Sequence, residues 1–261
     1  MLRRVVLVHG AAHGAWCWER LVPLLEARGL EPETLDLPGL GADPTPPGDV
    51  TFEAYVETIC RAVCSRPERV LLVAHSMGGW PASAAAGLAP EHVGRLVYVA
   101  SFMPKAGETV VGLAQSLLEP GEASGFGCMR PSALAGAHEI DPACVGPVFY
   151  SACPEDVVAA AIRRLRPQAD APLTPPIHVS DERFGRVPRS YVVCRLDRAL
   201  PVSAQERLCA RDPEVRRREL ESDHSPFYSM PVALVDLLAE EAALPSHTSR
   251  SPASTSSPSG G

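Results

Sequence analysis

The chain is 261 residues long, 46% of them hydrophobic, and carries a formal net charge of −7. A chain of this length can bury one sizeable core, and α/β folds of this size are commonly a single domain. The negative charge gives no electrostatic basis for binding nucleic acid or an acidic membrane surface. The first apolar run is too short for a signal peptide, and no later run is long enough to span a membrane. We therefore expect a cytoplasmic protein, a monomer or a homodimer, with no nucleic-acid or membrane partner.

The eight cysteines are scattered along the chain, with no CxxC pair and no Cys/His cluster at the spacing of a zinc site. In a chain of this length, that arrangement argues against both a disulfide framework and a structural metal. We expect most of the thiols to be buried and reduced.

Short aliphatic runs alternate with helical patterns along most of the chain. The runs that read as strands are 3–8, 31–37, 69–74, 95–100, 190–196 and 215–221. The segments that read as helices are 16–28, 51–65, 77–88 and 231–244. Strands that are apolar on both faces and alternate with helices indicate a mostly parallel sheet with helices on both faces. The predicted class is therefore α/β.

The regular pattern changes between about residues 105 and 188. Proline and glycine become frequent, and only 154–165 reads as a convincing short helix. A segment of this length is too long for a structureless loop inside a compact domain. The sequence therefore predicts a core formed by residues 1–104 and 189–244, with a small, partly helical cap (105–188) inserted after the sixth strand. Residues 245–261 have too few apolar side chains to be ordered and are predicted to be a disordered tail.

A predicted strand, a sharp turn and a predicted helix surround Ser76. The segment reads Ala74-His-Ser-Met-Gly78, a small-x-Ser-x-Gly pattern in which small residues allow the chain to turn tightly around the serine. A Ser-x-Gly string alone would fit a helix N-cap equally well. The strand before it and the helix after it favour a nucleophile held at the end of the sheet.

A serine nucleophile needs a base, and the base needs a group to orient it. His224 follows the last predicted strand, where an α/β-hydrolase keeps its histidine, because the chain order in that fold is serine, acid, histidine. Asp197 ends an earlier strand and is the acid candidate, with a surface ion pair as the alternative interpretation. Asp223 is adjacent to the base and badly placed to reach its Nδ1, and Glu108 is the next carboxylate to consider. Of the remaining histidines, His9 and His75 flank other motifs and are expected to be structural, whereas His92, His138 and His178 have no companion acid in a suitable place. His13 belongs to the glycine-containing loop after the first strand, and His247 lies in the predicted tail.

An oxyanion intermediate needs two N–H donors. We expect one from Met77, directly after the nucleophile, and one from Ala11 in the glycine-containing loop after the first strand. That loop does not match GxGxxG, and Asp36 is the only acid near the end of the second strand. A dinucleotide site is therefore disfavoured.

Four segments taken together resemble one branch of the α/β-hydrolase superfamily: HGAAHGAWCW (9–18), LDLPG (35–39), HSMGG (75–79) and DHSPFYSMP (223–231). The branch contains plant methyl esterases and hydroxynitrile lyases with their bacterial carboxylesterase relatives, including pyrethroid-hydrolysing esterases. The resemblance covers residue 3 to about 104 and 188–241. It implies an α/β-hydrolase fold and the triad and oxyanion roles given above.

The resemblance implies a carboxylesterase-type serine hydrolase that cleaves a small, hydrophobic ester through an acyl-enzyme, with no metal or organic cofactor. An alternative interpretation of the apolar cap residues is that they form only the core of the cap. The expected substrate-binding residues are Ala12, His13, Trp80, Phe102, Met103, Phe126, Met129, Phe149 and Tyr150.

Two other functions remain open on this pattern. A hydroxynitrile lyase, or a biosynthetic cyclase or lyase, would use the same triad on a different bond. Hydroxynitrile lyases of this family carry a lysine directly after the catalytic histidine and a threonine in the oxyanion loop, whereas this chain has Ser225 and Ala11. A non-catalytic ligand-binding protein of this fold would normally have lost one triad residue, and all three are present.

Overall fold

The computed structural model describes residues 1–119 and 122–245. The strands in this part of the chain are β1 (Arg4–Val8), β2 (Glu31–Thr34), β3 (Val70–His75), β4 (Val93–Val99), β5 (Met129–Pro131), β6 (Ala137–Ile140), β7 (Gln168–Ala169), β8 (Arg189–Cys194) and β9 (Arg216–Leu220). Six of them form a parallel sheet in the order β2-β1-β3-β4-β8-β9. The predicted parallel sheet is confirmed, and each of the six predicted strands contributes to it.

Helices separate and follow these strands. They are α1 (Leu21–Ala27), α2 (Phe52–Val63), α3 (Gly79–Leu88), α4 (Val110–Leu117), α5 (Pro142–Cys144), α6 (Glu155–Arg164), α7 (Val202–Ala210), α8 (Pro226–Ser229) and α9 (Pro231–Ala243). Each helix within residues 1–119 and 122–245 is too short or too polar to cross a bilayer.

The central strands β1, β3 and β4 are buried on both faces, as expected for strands with mainly aliphatic sequences, whereas the edge strands β2 and β9 are largely polar and more exposed. In β1, Val6 and Val8 pack into one hydrophobic cluster, whereas Val5 and Leu7 pack into the cluster on the other side. Helices α2 and α3 contribute side chains to the first cluster, and α1 and α9 contribute side chains to the second. The sheet is therefore a rigid platform whose strand ends can hold reactive groups.

Two predicted elements are shorter in the structure. The predicted helix 16–28 divides into a 3₁₀ turn, Ala15–Trp18, and α1. Pro23 has no N–H, so one continuous helix would lose its bond to the carbonyl of Glu19. The predicted strand 31–37 ends at Thr34, because the N–H of Leu37 instead donates to His9 Nε2 at 3.1 Å.

The predicted cap segment (105–188) contains α4, α5 and α6 together with a small antiparallel sheet, β5-β6-β7. The helix predicted at 154–165 is α6. The segment follows β4, so the predicted position after the sixth strand is wrong: four of the described strands precede it. The division into core and cap at these residues stays a prediction, and the predicted tail lies outside the described residues except for Pro245.

Candidate active site

Ser76 lies at the end of β3, where the chain turns sharply into α3. Its φ of 52° is in the left-handed region, which residues with side chains rarely adopt. The turn depends on small neighbours: a Cβ on Gly10 would lie 2.9 Å from the Cβ of Ser76, and a Cβ on Gly78 would lie 2.4 Å from the carbonyl oxygen of His9. The sequence thus forms a strained, tightly packed turn that presents one hydroxyl, as the small-x-Ser-x-Gly pattern predicts.

Three predicted residues meet at this turn. The hydroxyl oxygen of Ser76 is 3.0 Å from His224 Nε2, and His224 Nδ1 is 2.8 Å from Asp197 Oδ2. Asp197 follows β8, and His224 lies between β9 and α8. A carboxylate only accepts, so Nδ1 carries the proton and Nε2 is left to accept from the Ser76 hydroxyl. This is the arrangement that general-base activation of a serine requires.

The carboxylate of Asp197 is held by four N–H donors. Oδ1 accepts from the backbone N–H groups of Ala199 at 2.7 Å and Leu200 at 3.0 Å, and Oδ2 accepts from Gln205 Nε2 at 3.1 Å besides His224. Donors on both oxygens fix the plane of the carboxylate. The carboxylate is therefore oriented toward the imidazole before any substrate binds.

Asp197 is not part of a surface ion pair. The residue is 6% exposed, and its two neighbouring arginines bind other groups. Arg195 donates to Glu206 at 2.8 Å, and Arg198 donates to the carbonyl of Pro147 at 3.4 Å. The alternative interpretation of Asp197 as surface decoration is therefore wrong.

The oxyanion loop, defined as residues 10–12, has its peptide groups fixed from several sides. His9 Nδ1 donates to the carbonyl of Gly10 at 2.8 Å, and His13 Nδ1 donates to the carbonyl of Ala11 at 2.7 Å. The N–H of Ala11 has no hydrogen-bond partner within residues 1–119 and 122–245. The N–H of Met77 belongs to the first turn after the nucleophile, where helical N–H groups lack intrahelical acceptors. Both predicted donors thus belong to segments that border Ser76.

Three buried histidines around this loop are uncharged at neutral pH. Burial lowers the pKa of His13 to about 3 and also lowers the pKa values of His9 and His75. The hydrogen bonds agree, because His13 Nδ1 donates to a carbonyl while His13 Nε2 can accept from the Tyr150 hydroxyl at 2.7 Å. His75 Nε2 donates to the carbonyl of His224 at 2.8 Å. The three neutral rings thus hold backbone carbonyl groups of the site in place by hydrogen bonds.

A cavity of about 100 Å³ opens onto Ser76 and His224. Five predicted substrate-binding residues line it: His13, Phe102, Phe126, Met129 and Phe149. Its other lining residues are Gly10, Ala11, His75, Met77, Val110, Gly125, Ile140, Gln168, Leu173, Ala199 and Leu200. The walls are mainly apolar, and among the described lining residues there is no lysine or arginine.

Four predicted substrate-binding residues do not line this cavity. Trp80, on α3, is fully buried in the core, and Met103 lines a separate surface pocket. Tyr150 lies behind His13 and uses its hydroxyl to fix that ring. Ala12 is fully buried, with its backbone bonded to the cap segment. Trp80 and Met103 are predicted from their nearness to the sheet and its motifs, and Tyr150 from its place in the cap segment. Neither feature determines which way a side chain faces.

The largest omission from the sequence-based site is Gln168. It lies on β7 in the cap segment, lines the cavity and accepts a hydrogen bond from Ala12 across 156 residues of sequence. Ile140 and Leu173, also from the cap segment, complete the apolar wall. No local pattern marks these residues, because β6 and β7 are only four and two residues long.

Other candidate sites found in the sequence have structural roles. Asp36 accepts from the N–H groups of Ala15 at 2.6 Å and Ala42 at 3.0 Å, so it closes a loop. His138 was expected to lack a companion acid, but its Nδ1 is 2.6 Å from Asp170 Oδ1 in the cap segment. Within the described residues, no group of three or more His, Cys, Asp or Glu side chains is placed to hold a metal ion.

Comparison with known proteins agrees with this geometry. The model of the alpha/beta hydrolase family matches residues 5–237. The putative chloroplastic methylesterase 14 of Arabidopsis thaliana is 32% identical over an alignment that covers 94% of this chain and 73% of that protein. Methylesterase 7 of the same plant is 33% identical, and its alignment covers 91% of this chain and 95% of that protein. The crystal structure of a pyrethroid hydrolase from Sphingobium faniae JZ-2 superposes with a TM-score of 0.81 at 26% identity, covering 93% of this chain and 98% of that one. With its parallel sheet, strained nucleophile turn and family match, the chain belongs to the α/β-hydrolase family.

Proposed function

We propose that this chain is a carboxylesterase-type serine hydrolase that works through an acyl-enzyme. The observation that carries the proposal is the continuous hydrogen-bonded series from Ser76 through His224 to Asp197. Ser76 attacks the ester carbonyl while His224 Nε2 takes its proton, and Asp197 stabilises the imidazolium that forms. The N–H groups of Ala11 and Met77 then stabilise the negative charge on the carbonyl oxygen.

The second half of the reaction uses the same groups. His224 returns the proton to the departing alcohol, which leaves Ser76 acylated. A water molecule then attacks the acyl carbon while His224 again serves as the base, and Ser76 is released. The neutral state of His75 supports this cycle, because its ring centroid is 4.6 Å from that of His224 and a second positive charge there would disfavour the imidazolium.

The cavity supports a small, neutral, apolar ester as the substrate. Apolar side chains form most of its wall, and no cation among the described lining residues offers a partner for a charged substrate. The names of the similar plant proteins point to methyl esters, whose alcohol portion is small enough for this space. A neutral substrate would also avoid placing an unpaired charge in an apolar site.

A substitution at the nucleophile tests the proposal. Ser76→Ala should lower turnover of p-nitrophenyl and methyl esters by about 10⁶, because a triad acts as a unit. A fluorophosphonate should label the wild-type chain once, at Ser76, and should not label the variant. Ser83→Ala is a matched control, because Ser83 is a buried serine whose hydroxyl bonds within α3 and to Tyr98. We expect it to retain both turnover and labelling.

An assay of cyanide release, run beside the ester assay, separates hydrolysis from carbon–carbon lyase activity. The cation that hydroxynitrile lyases place after the catalytic histidine is replaced by Ser225, and Arg216 and Arg218 bind Glu241 at 3.0 and 3.1 Å. We therefore expect no cyanide release from mandelonitrile above the rate in buffer. Cyanide release without ester turnover would refute the proposal, as would full activity of Ser76→Ala.

A further inference from the structure

The cap segment holds both hydrogen-bonding groups of Ala12. The N–H of Ala12 donates to Gln168 Oε1 at 3.3 Å, and its carbonyl accepts from the N–H of Arg166 at 2.9 Å. Ala12 has a φ of 62°, a left-handed conformation that is unfavourable for a residue with a side chain. Such a conformation persists only where surrounding contacts impose it, and here two contacts come from residues 166–168.

The side chain of Gln168 is itself held in one orientation. It is 1% exposed, and its Nε2 lies 3.0 Å from both the Tyr55 hydroxyl and the carbonyl of Ala169. Because a carbonyl only accepts, the atom facing Ala169 must be the NH₂ group, and the oxygen must face Ala12. Tyr55 is buried on α2, so Gln168 links three parts of the chain: the cap segment, helix α2 and the oxyanion loop.

The Ala11–Ala12 peptide is fixed at both of its polar groups. Its carbonyl accepts from His13 Nδ1, and its N–H donates to Gln168. The preceding peptide, which carries the Ala11 N–H, has its carbonyl held by His9. If Gln168 were removed, the Ala11–Ala12 plane could rotate about the Ala11 backbone and the adjacent N–H would lose its fixed direction.

We propose that Gln168 is a positioning residue that holds the Ala11 N–H of the oxyanion hole through the Ala12 peptide; this inference rests on the proposed esterase function. Strand β7 pairs with β6, which carries the cavity residue Ile140. The same small sheet therefore forms part of the substrate wall and anchors the loop that stabilises the oxyanion. Oxyanion donors are effective only when they already point at the position where the negative charge develops. The hydrogen bond between Gln168 and Ala12 therefore fixes the position of the donor relative to the bound substrate.

Replacing Gln168 with a side chain of similar size but without hydrogen-bonding groups tests the inference. Gln168→Met should lower kcat for a p-nitrophenyl ester by about 10- to 100-fold, because a small misplacement of a catalytic group has an effect of this size. KM should stay within about threefold, since ground-state binding to the apolar wall is retained. Affinity for a trifluoromethyl ketone, which forms a tetrahedral oxyanion on Ser76, should fall in parallel with kcat.

Tyr55→Phe provides a second variant that does not touch the cavity. It removes the hydroxyl that holds Gln168 Nε2 and should lower kcat by about threefold, also without raising KM. Tyr98→Phe is its control, because it removes a buried tyrosine hydroxyl bonded to Ser83. Rates are normalised to the fraction of chains labelled by a fluorophosphonate, so that loss of folded protein is not counted as loss of kcat.

Hydrogen exchange separates this inference from the proposed function. Amides in residues 9–17 should exchange faster in Gln168→Met than in the wild type, with α9 unchanged as an internal control. A wild-type chain without esterase activity refutes the proposed function. An active wild type with unchanged kcat in Gln168→Met, or with KM rising in place of the fall in kcat, refutes the positioning role alone.

Discussion

Two buried aspartates flank the imidazole of His224, and only one of them reaches it. Asp197 is 27 residues away in sequence and bonds to Nδ1, whereas the adjacent Asp223 accepts from the N–H of Ala152 at 2.8 Å and the hydroxyl of Ser229 at 2.7 Å. The carboxylate nearer in sequence is thus not the one that contacts the ring. Asp197 therefore orients the base, and Asp223 ties the histidine loop to the cap segment.

Asp197→Asn should lower kcat by roughly 10⁴, as measured with a p-nitrophenyl ester. Both oxygens of Asp197 face N–H donors, so an amide must set its own NH₂ group against one of them. If that group faces His224, Nδ1 must accept, and Nε2 then carries the proton and cannot take one from Ser76.

Asp223→Asn is the matched control, because it changes the other buried carboxylate beside the same histidine. It should lower the melting temperature by disturbing the bonds to Ala152 and Ser229 but keep most of the kcat per phosphonate-labelled site. A larger loss of kcat in Asp223→Asn than in Asp197→Asn would reverse the two assignments.

Helix α3 has a glycine near each end, and the two glycines have different surroundings. A Cβ on Gly79 would lie 2.2 Å from Ser101 Oγ and 2.3 Å from the carbonyl oxygen of Phe102. A Cβ on Gly87 would make ordinary contact, 3.5 Å from the Cβ of Phe184. The end of α3 that follows the nucleophile is therefore pressed against the loop after β4, whereas the other end has room for a methyl group.

Gly79→Ala should destabilise the fold by about 1–3 kcal/mol, because the added methyl group must displace backbone atoms. Gly87→Ala should instead stabilise it by up to about 1 kcal/mol, because alanine favours a helix and fits the available space. Urea denaturation of the two variants measures both effects. A gain in stability for Gly79→Ala, or equal losses for the two variants, would contradict this account of the packing.

The central strands of the parallel sheet could be predicted because burial on both faces imposes continuous aliphatic runs such as β1 and β3. Helices α7 and α8 and the elements of the cap segment other than α6 are not among the predicted elements. Strands β5, β6 and β7 have three, four and two residues, too few for an alternating pattern to be recognised. Their position depends on packing against distant parts of the chain, which a local pattern does not encode.

The candidate triad could be predicted for a different reason: each of its residues lies in the turn or loop that follows a strand of the sheet, in the chain order that this fold requires. Gln168 could not, because its contact with Ala12 exists only after the cap segment has folded over the core. Trp80 was assigned to the cavity because it follows the nucleophile motif, but its position on α3 turns it into the core.

Across the whole molecule, the fold and the candidate site share one cluster of buried rings. The ring centroids of His13 and His75 are 6.3 Å apart, and Phe227 packs edge-on against both at 6.3 and 5.0 Å. The cluster joins the loop after β1, the end of β3 and helix α8, which follows the loop that carries His224. A proton on either histidine would place a cation in this cluster, so the stability of the whole chain depends on the neutral state of these rings.

The free energy of unfolding should therefore fall as the pH drops below about 6.5. A histidine whose pKa is lowered in the folded state binds no proton there, whereas the unfolded chain takes one up below its ordinary pKa, so acid favours unfolding. For His13, whose folded pKa is about 3, the loss between pH 7 and pH 5 is about 2 kcal/mol. His9 and His75 are shifted in the same direction and should add to it. Urea denaturation at pH 7, 6 and 5 measures the slope.

Substitution of single histidines assigns this slope to the buried cluster. His13→Gln should be less stable than the wild type at pH 7, because it loses the bonds to Ala11 and Tyr150, yet it should lose about 2 kcal/mol less between pH 7 and pH 5. His178→Gln, at an exposed position, should keep the wild-type slope. A wild-type stability that stays level from pH 7 to pH 5 would mean that the buried rings accept protons without unfolding. An unchanged slope in His13→Gln would mean that other groups cause the sensitivity to acid.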